Sequence, residues 1–277
     1  MELTMPLSDI QEPALYLECD LQQGESHRIA GGLAVAYSAR APGKTTANED
    51  SVALIPCGDE AGVLVVADGL GGMPAGEQAS ALAVRCVAEA LRDVDAKAAG
   101  LREAILDGIE HANQAISALG VGAATTLAVV EIQNRVVRPY HVGDSLILIT
   151  GQRGKIKLQA VPHSPVGYAV EAGFLNPEEA MHHAERHLIS NMIGTPDMRI
   201  EVGAPVSLSP RDTLVLASDG LSDNLHIDEI VAHARSGALP KACKQLVESC
   251  QTRMAQPTGD HPSKPDDLSV ILFRLLT

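Results

Sequence analysis

Five acidic motifs in this 277-residue chain share one arrangement, a carboxylate beside Gly, Ser or Asn at the end of an apolar run. They are Asn48-Glu49-Asp50, Asp68-Gly69, Gly143-Asp144-Ser145, Ser218-Asp219-Gly220 and Asp266-Asp267. Taken singly, each reads as a polar turn, because Asp, Asn and Gly favour turns for reasons of backbone chemistry. If their strand ends converge, the carboxylates repel one another and their pKa values rise. Bound cations relieve that conflict. The motifs offer oxygen ligands and neither Cys nor His, which favours Mg²⁺ or Mn²⁺ over Zn²⁺. A pair of such ions suits phosphate-ester hydrolysis, acidifying a water and clamping the developing charge.

The elements that must position these groups follow from the pattern. A run rich in β-branched residues, Val63 to Val66, reads as a buried strand that ends at Asp68. Gly69, Gly71, Gly72 and Gly76 come next and lead into a helix. Ser51 to Ile55 precedes it as the other arm of a hairpin, and Gly32 to Ala39 forms an earlier strand. Apolar residues recur at helical spacing over 76–93 and 99–118. Thr125 to Ile132, Val136 to Val142 and Ser145 to Thr150 read as a three-stranded antiparallel meander. Val202 to Leu208, Asp212 to Ala217 and Leu268 to Leu275 are strands, and Ile227 to Ala234 and Lys241 to Met254 are helices. Strands and helices come in groups rather than alternating. The expected fold class is therefore α+β, with antiparallel sheets covered by helix pairs, and not a parallel doubly wound sheet.

Composition narrows the function classes. The core must be aliphatic, because there is no Trp and only two Phe. A net charge of −14 with no basic patch speaks against nucleic-acid binding. Five scattered cysteines with no Cys-x-x-Cys pair suggest reduced thiols in a cytoplasmic setting. No apolar stretch approaches the roughly 18 residues of a membrane helix. The acidic N-terminus is wrong for a signal peptide.

The motifs in order are N48-E-D-S, V66-A-D-G-L-G-G-M-P-A-G-E77, A124-T-T126, H141-V-G-D-S145, L216-A-S-D-G-L221 and D266-D-L-S-V270. In order and spacing the chain resembles the metal-dependent serine/threonine protein phosphatases, the protein phosphatase 2C family, in a compact bacterial form. The resemblance spans residues 32–275. It implies a four-layer α-β-β-α sandwich of two antiparallel sheets flanked by helix pairs, with residues 1–28 as an N-terminal arm or edge segment. Residues 29–277 would be one catalytic domain, with a flap at about 160–200. It implies two Mg²⁺ or Mn²⁺ ions held by Asp50, Asp68, Asp219 and Asp266, with Asp68 bridging. The Gly69 carbonyl would take one ion and Glu49 would act through water. A third ion would use Asp144 with Asp219. The implied activity is hydrolysis of phosphoserine or phosphothreonine in proteins by a hydroxide bridging the ions. Phosphoproteins are the expected partners, with a cognate kinase, and the chain is expected to be a monomer. The alternative is a weakly active, metal-loaded sensor or scaffold that binds phosphoproteins.

The chain departs from the family at several places, among them Leu146 where an arginine often follows Gly-Asp-Ser. Thr45 stands where an arginine grips the substrate phosphate, leaving Lys44 and Arg40 as candidates. Leu70 replaces a histidine that some relatives use as proton donor, so water must supply the proton. Asp266-Asp267 replaces the commoner Asp-Asn. His182, His183 and His187 lack a fourth zinc ligand at suitable spacing and are expected to sit on a solvated or partly packed flap helix.

Overall fold

The structure, a computed structural model, describes residues 9–92, 94, 100–258 and 261–276. The first eight residues of the expected N-terminal arm lie outside that range. Two antiparallel sheets stack face to face. One has the strand order β1 (Ala14–Leu17), β4 (Asp50–Pro56), β5 (Ala61–Asp68), β6 (Leu127–Gln133), β7 (Val136–Val142) and β10 (Glu201–Val202). β11 (Val206–Ser207) also pairs with β7. The other sheet runs β2 (Glu25–Ile29), β3 (Gly32–Ala39), β13 (Leu268–Leu275), β12 (Thr213–Ala217), β8 (Leu146–Thr150) and β9 (Ile156–Gln159). β1 and β2 are thus edge strands of opposite sheets.

The central strands are buried on both faces, so they read as continuous apolar runs instead of alternating ones. Val52, Leu54, Leu64 and Val66 point between the sheets and meet Ala34, Leu216, Ile271 and Phe273. Ala53, Val63, Val65 and Ala67 point the other way, onto helices α1 (Gly76–Ala90) and α2 (Leu101–Ala118). On the second sheet, Val35, Val215 and Val270 pack beneath α6 (Ile227–Ala234) and α7 (Leu239–Ala255). The result is antiparallel sheets covered by helix pairs, as the grouping of elements led one to expect, in the four-layer α-β-β-α sandwich that the resemblance implies. Among the described residues no helix is long and apolar enough to cross a membrane.

One expectation is corrected. β6, β7 and β8 are not a meander, because β8 pairs with β12 and β9 and not with β7. The Gly143-Asp144 turn carries the chain from one sheet to the other, with Gly143 at φ 108°. A side chain disfavours that conformation, and a Cβ there would also lie 2.6 Å from Thr126. The crossover is what brings Asp144 to the shared edge of both sheets.

Between β9 and β10 lie two short helices, α3 (Pro165–Glu171) and α4 (Pro177–Met181). Each starts with Pro in its first turn behind a capping side chain. Ser164 Oγ accepts from Gly167 N, and Asn176 with Glu179 makes a reciprocal capping box. His182, His183 and His187 lie beyond the end of α4, in turn and loop, and not on a helix as expected; His182 and His187 are exposed and His183 is half-exposed. The flap is anchored at the crossover, since His163 N donates to Gly143 O at 2.8 Å and Gly143 N donates to His163 Nδ1 at 3.1 Å.

Candidate active site

Antiparallel register places Asp50, the first residue of β4, directly opposite Asp68, the last of β5. Asp219 opens the short helix α5 (Asp219–Ser222) immediately after β12. Asp266 precedes β13, and Asp144 precedes β8 in the crossover turn. The sheets therefore contribute carboxylates from facing ends, and Asp68 is central, since Asp50, Asp219, Asp266 and Asp144 all act on its charge.

Backbone and hydroxyl contacts fix these positions. Asp68 O accepts from Thr126 N and Thr125 Oγ1, both at 2.8 Å, and Asp68 N donates to Thr126 Oγ1. Gly69 N donates to Glu49 O at 3.0 Å. Asn48 Oδ1 accepts from Asp50 N, and Asn48 Nδ2 donates to Ser38 Oγ. Ser218 Oγ donates to Asp50 Oδ2 at 2.7 Å and accepts from Ser269 N at 3.0 Å. With Ser269 Oγ donating to Ser38 Oγ, these groups form a buried polar seam that ties the two sheets together under the acidic cluster.

The glycines have unequal roles. A Cβ on Gly69 would lie 2.2 Å from Gly76 O, and one on Gly76 would lie 2.8 Å from Glu49 Oε1. These two make the close approach. Gly71 and Gly72 have no neighbour within 4 Å of an added Cβ.

Burial dominates the electrostatics. It raises the pKa of Asp50 and Asp68 well above the usual carboxylate range, and neighbouring carboxylates raise them further. Asp144 is pushed up to about 8 by burial and then by Asp219 and Asp223. Asp219 and Asp266 are also raised, by burial first. Asp50 Oδ1 and Asp144 Oδ1 are buried without a hydrogen-bond partner. Unpartnered buried carboxylate oxygens in an all-oxygen donor set fit hard divalent cations. Among the described residues, no three Asp, Glu, His or Cys side chains already close on one point. Two ammonium groups stand among them instead.

Lys44 Nζ bridges Glu49 Oε2 and Asp267 Oδ2, both at 2.6 Å. Arg40 is paired with Asp20 at 2.6 Å, so of the two sequence candidates for gripping phosphate only Lys44 contacts residues of the acidic motifs. Asp267 is 3% exposed and braces the loop before β4, accepting from Ala41 N and Glu49 N as well as Lys44. Lys264 Nζ meets Asp219, Asp223 and Asp266. Sequence reasoning passed over Asp223, Lys264 and the bracing role of Asp267. Asp223 lies four residues beyond Asp219, one helical turn on, and that spacing was the available signal. Beside the cluster, Asp144 and Asp219 open onto a cavity of about 1090 Å³ walled by flap residues such as Val166 and Met181 and by Leu225 and Val231.

A metal-free sample should show the cost of this crowding. A carboxylate whose folded pKa is raised binds its proton more tightly when folded. Its stabilising contribution is complete below the unfolded value of about 4 and is lost as pH rises through the folded pKa. With Asp144 at about 8 and the other four also raised, the melting temperature of chelator-treated protein should fall between pH 5 and pH 9. Saturating Mn²⁺ should flatten that slope. Thermal melts at several pH values check both, and a metal-free protein most stable at pH 9 would contradict the cluster.

The architecture and the acidic edge together define a class, the α-β-β-α sandwich with carboxylates gathered where its sheets end. The chain belongs to the protein phosphatase 2C family, whose sequence profile matches residues 41–256. It is 35% identical over 175 residues to protein phosphatase PhpP of Streptococcus pneumoniae, covering 61% of this chain and 70% of that one. The serine/threonine phosphatase of S. agalactiae has a similar structure, with a TM-score of 0.75 and 27% identity over 88% of this chain and 99% of that one. The catalytic domain of the serine/threonine protein phosphatase PstP, solved in complex with two manganese ions, is 25% identical with a TM-score of 0.69, covering 88% and 98% of the two chains.

Proposed function

We propose that the chain removes phosphate from phosphoserine and phosphothreonine in proteins, with Mg²⁺ or Mn²⁺ as cofactor. The observation that carries this reading is the convergence of five carboxylates from separate segments, two of them with unpartnered buried oxygens. Asp50, Asp68, Asp219 and Asp266 would hold two ions, with the Gly69 carbonyl, and with Glu49 acting through water. A third ion, where one binds, would use Asp144 with Asp219. When bound, the ions supply a water acidified to hydroxide and positive charge against the phosphoryl oxygens.

The chain's own groups have separate tasks. The hydroxyls of Ser218 and Thr126 orient Asp50 and the Asp68 backbone. Leu70 places no acid in the loop after Asp68, so water must protonate the departing Ser or Thr oxygen. The cavity beneath the flap gives a peptide chain room beside Asp144 and Asp219. Lys44 lies nearest among the candidates for holding the substrate phosphate, as a single point charge and not a bidentate fork.

The test is release of phosphate from a phosphothreonine peptide with and without Mn²⁺. Mn²⁺-dependent release abolished by chelation is expected. Mn²⁺ binding without release would favour the sensor or scaffold reading, which the absence of an arginine at Thr45 motivates. For Lys44→Ala, KM should rise more than kcat falls, while Arg40→Ala leaves both unchanged. An unaltered KM in Lys44→Ala would remove Lys44 from the phosphate site.

A further inference from the structure

Lys264 is built into the acidic cluster and is not draped over it. Its Nζ lies 2.7 Å from Asp219 Oδ2, 2.8 Å from Asp223 Oδ2 and 3.0 Å from Asp266 Oδ2. Its backbone is clamped on both sides by one fully buried side chain. Lys264 N donates to Asn224 Oδ1 and Asn224 Nδ2 donates to Lys264 O, both at 2.9 Å. The same Asn224 Nδ2 donates to Gly220 O, so the clamp is continuous with the turn that presents Asp219. Pro265 follows and restricts the backbone of Lys264 further.

We propose that Lys264 is the chain's own third cation, a tethered ammonium that holds outer oxygens of Asp219 and Asp266 and limits the tightly bound metal complement to two ions. This rests on the reading of Asp219 and Asp266 as metal ligands. Geometry supports it. Lys264 Nζ already holds Asp219 Oδ2 and Asp266 Oδ2, so an ion shared by Asp144 and Asp219 gains that Asp219 oxygen only if Lys264 leaves it. The clamp at Asn224 fixes the lysine backbone beside Asp219, and the contacts to Asp223 and Asp266 hold the ammonium there.

Counting bound Mn²⁺ by electron paramagnetic resonance, with no substrate present, tests the proposal. The natural chain should bind two ions at micromolar Mn²⁺. Lys264→Gln and Lys264→Met should bind three, and Lys264→Arg should return to two. Thermal melts of the metal-free variants confirm that they fold. Amine-labelling of the unaltered protein gives a check that needs no variant: Lys264 should remain protected at two equivalents of Mn²⁺. Three ions in the natural chain, two in both neutral variants, or labelling of Lys264 as the first ions bind would each overturn the proposal while leaving the phosphatase reading intact. Fewer than two ions in the natural chain would remove the metal reading and this proposal with it. Two ions without phosphate release would count against the phosphatase reading alone.

Discussion

Asp68→Asn should lower Mn²⁺-dependent phosphate release by at least about 10²–10³-fold, the range seen when one preorganised electrostatic group is lost from an active site. Asp68 is the carboxylate on which the four other raised aspartates all act. The amide keeps the shape and removes the charge, so the loss isolates electrostatics from packing. The same substitution should have the opposite effect on the metal-free fold. With one buried charge gone, repulsion among Asp50, Asp144, Asp219 and Asp266 relaxes, and the variant should melt higher than the unaltered chain at pH 8 without metal. Lost activity with a raised metal-free melting temperature is the expected pair of results, a trade of stability for function at the site. Near-normal release would end the claim that Asp68 is a metal ligand.

Gly69→Ala should damage stability and activity together. The added methyl would lie 2.2 Å from Gly76 O, 2.4 Å from Gly76 C and 2.8 Å from Glu49 O, all of them backbone atoms that cannot swing aside. Overpacking of this kind costs about 1–3 kcal/mol and sometimes more, and each kcal/mol lowers the melting temperature of a domain this size by roughly 2–4 °C. Relief by backbone movement would shift the carbonyl of Gly69 and the Asp50–Asp68 pairing beside it. Gly71→Ala is the control, since its Cβ meets nothing within 4 Å and its φ is not positive. Equal melting temperatures for the two variants would refute the packing argument.

Much of this was readable from the residues. The carboxylates announce themselves because each ends an apolar run, and the central strands announce themselves because both of their faces are buried. The helix pairs follow from aliphatic spacing. What escaped was long-range or short. Nothing local in Leu146–Thr150 says that it joins β12 and not β7, because strand pairing is decided by the sheet that accepts it. The polar stretch Glu25–Ile29 lacks an aliphatic run, as an edge strand tolerates, so it carries little signal. Lys264 reads as an ordinary loop lysine until the fold sets Asp219 and Asp223 beside it. Asp267 resembles a second ligand until its oxygens are seen to be taken by the loop before β4.

The site is divided between the sheets. Asp50 and Asp68 end strands of one sheet, while Asp144, Asp219 and Asp266 flank strands of the other. Neither half of the sandwich owns a complete set, and the polar seam from Asn48 through Ser38 to Ser269 registers one half on the other. A chain severed at the Gly143 crossover would therefore yield two inert fragments, and recovered turnover on mixing them would measure reassembly itself. Because β2 and β3 of the second sheet precede that crossover while β10 and β11 of the first follow it, each fragment would lack strands of both sheets, and turnover would return only once the two rebuild the whole sandwich.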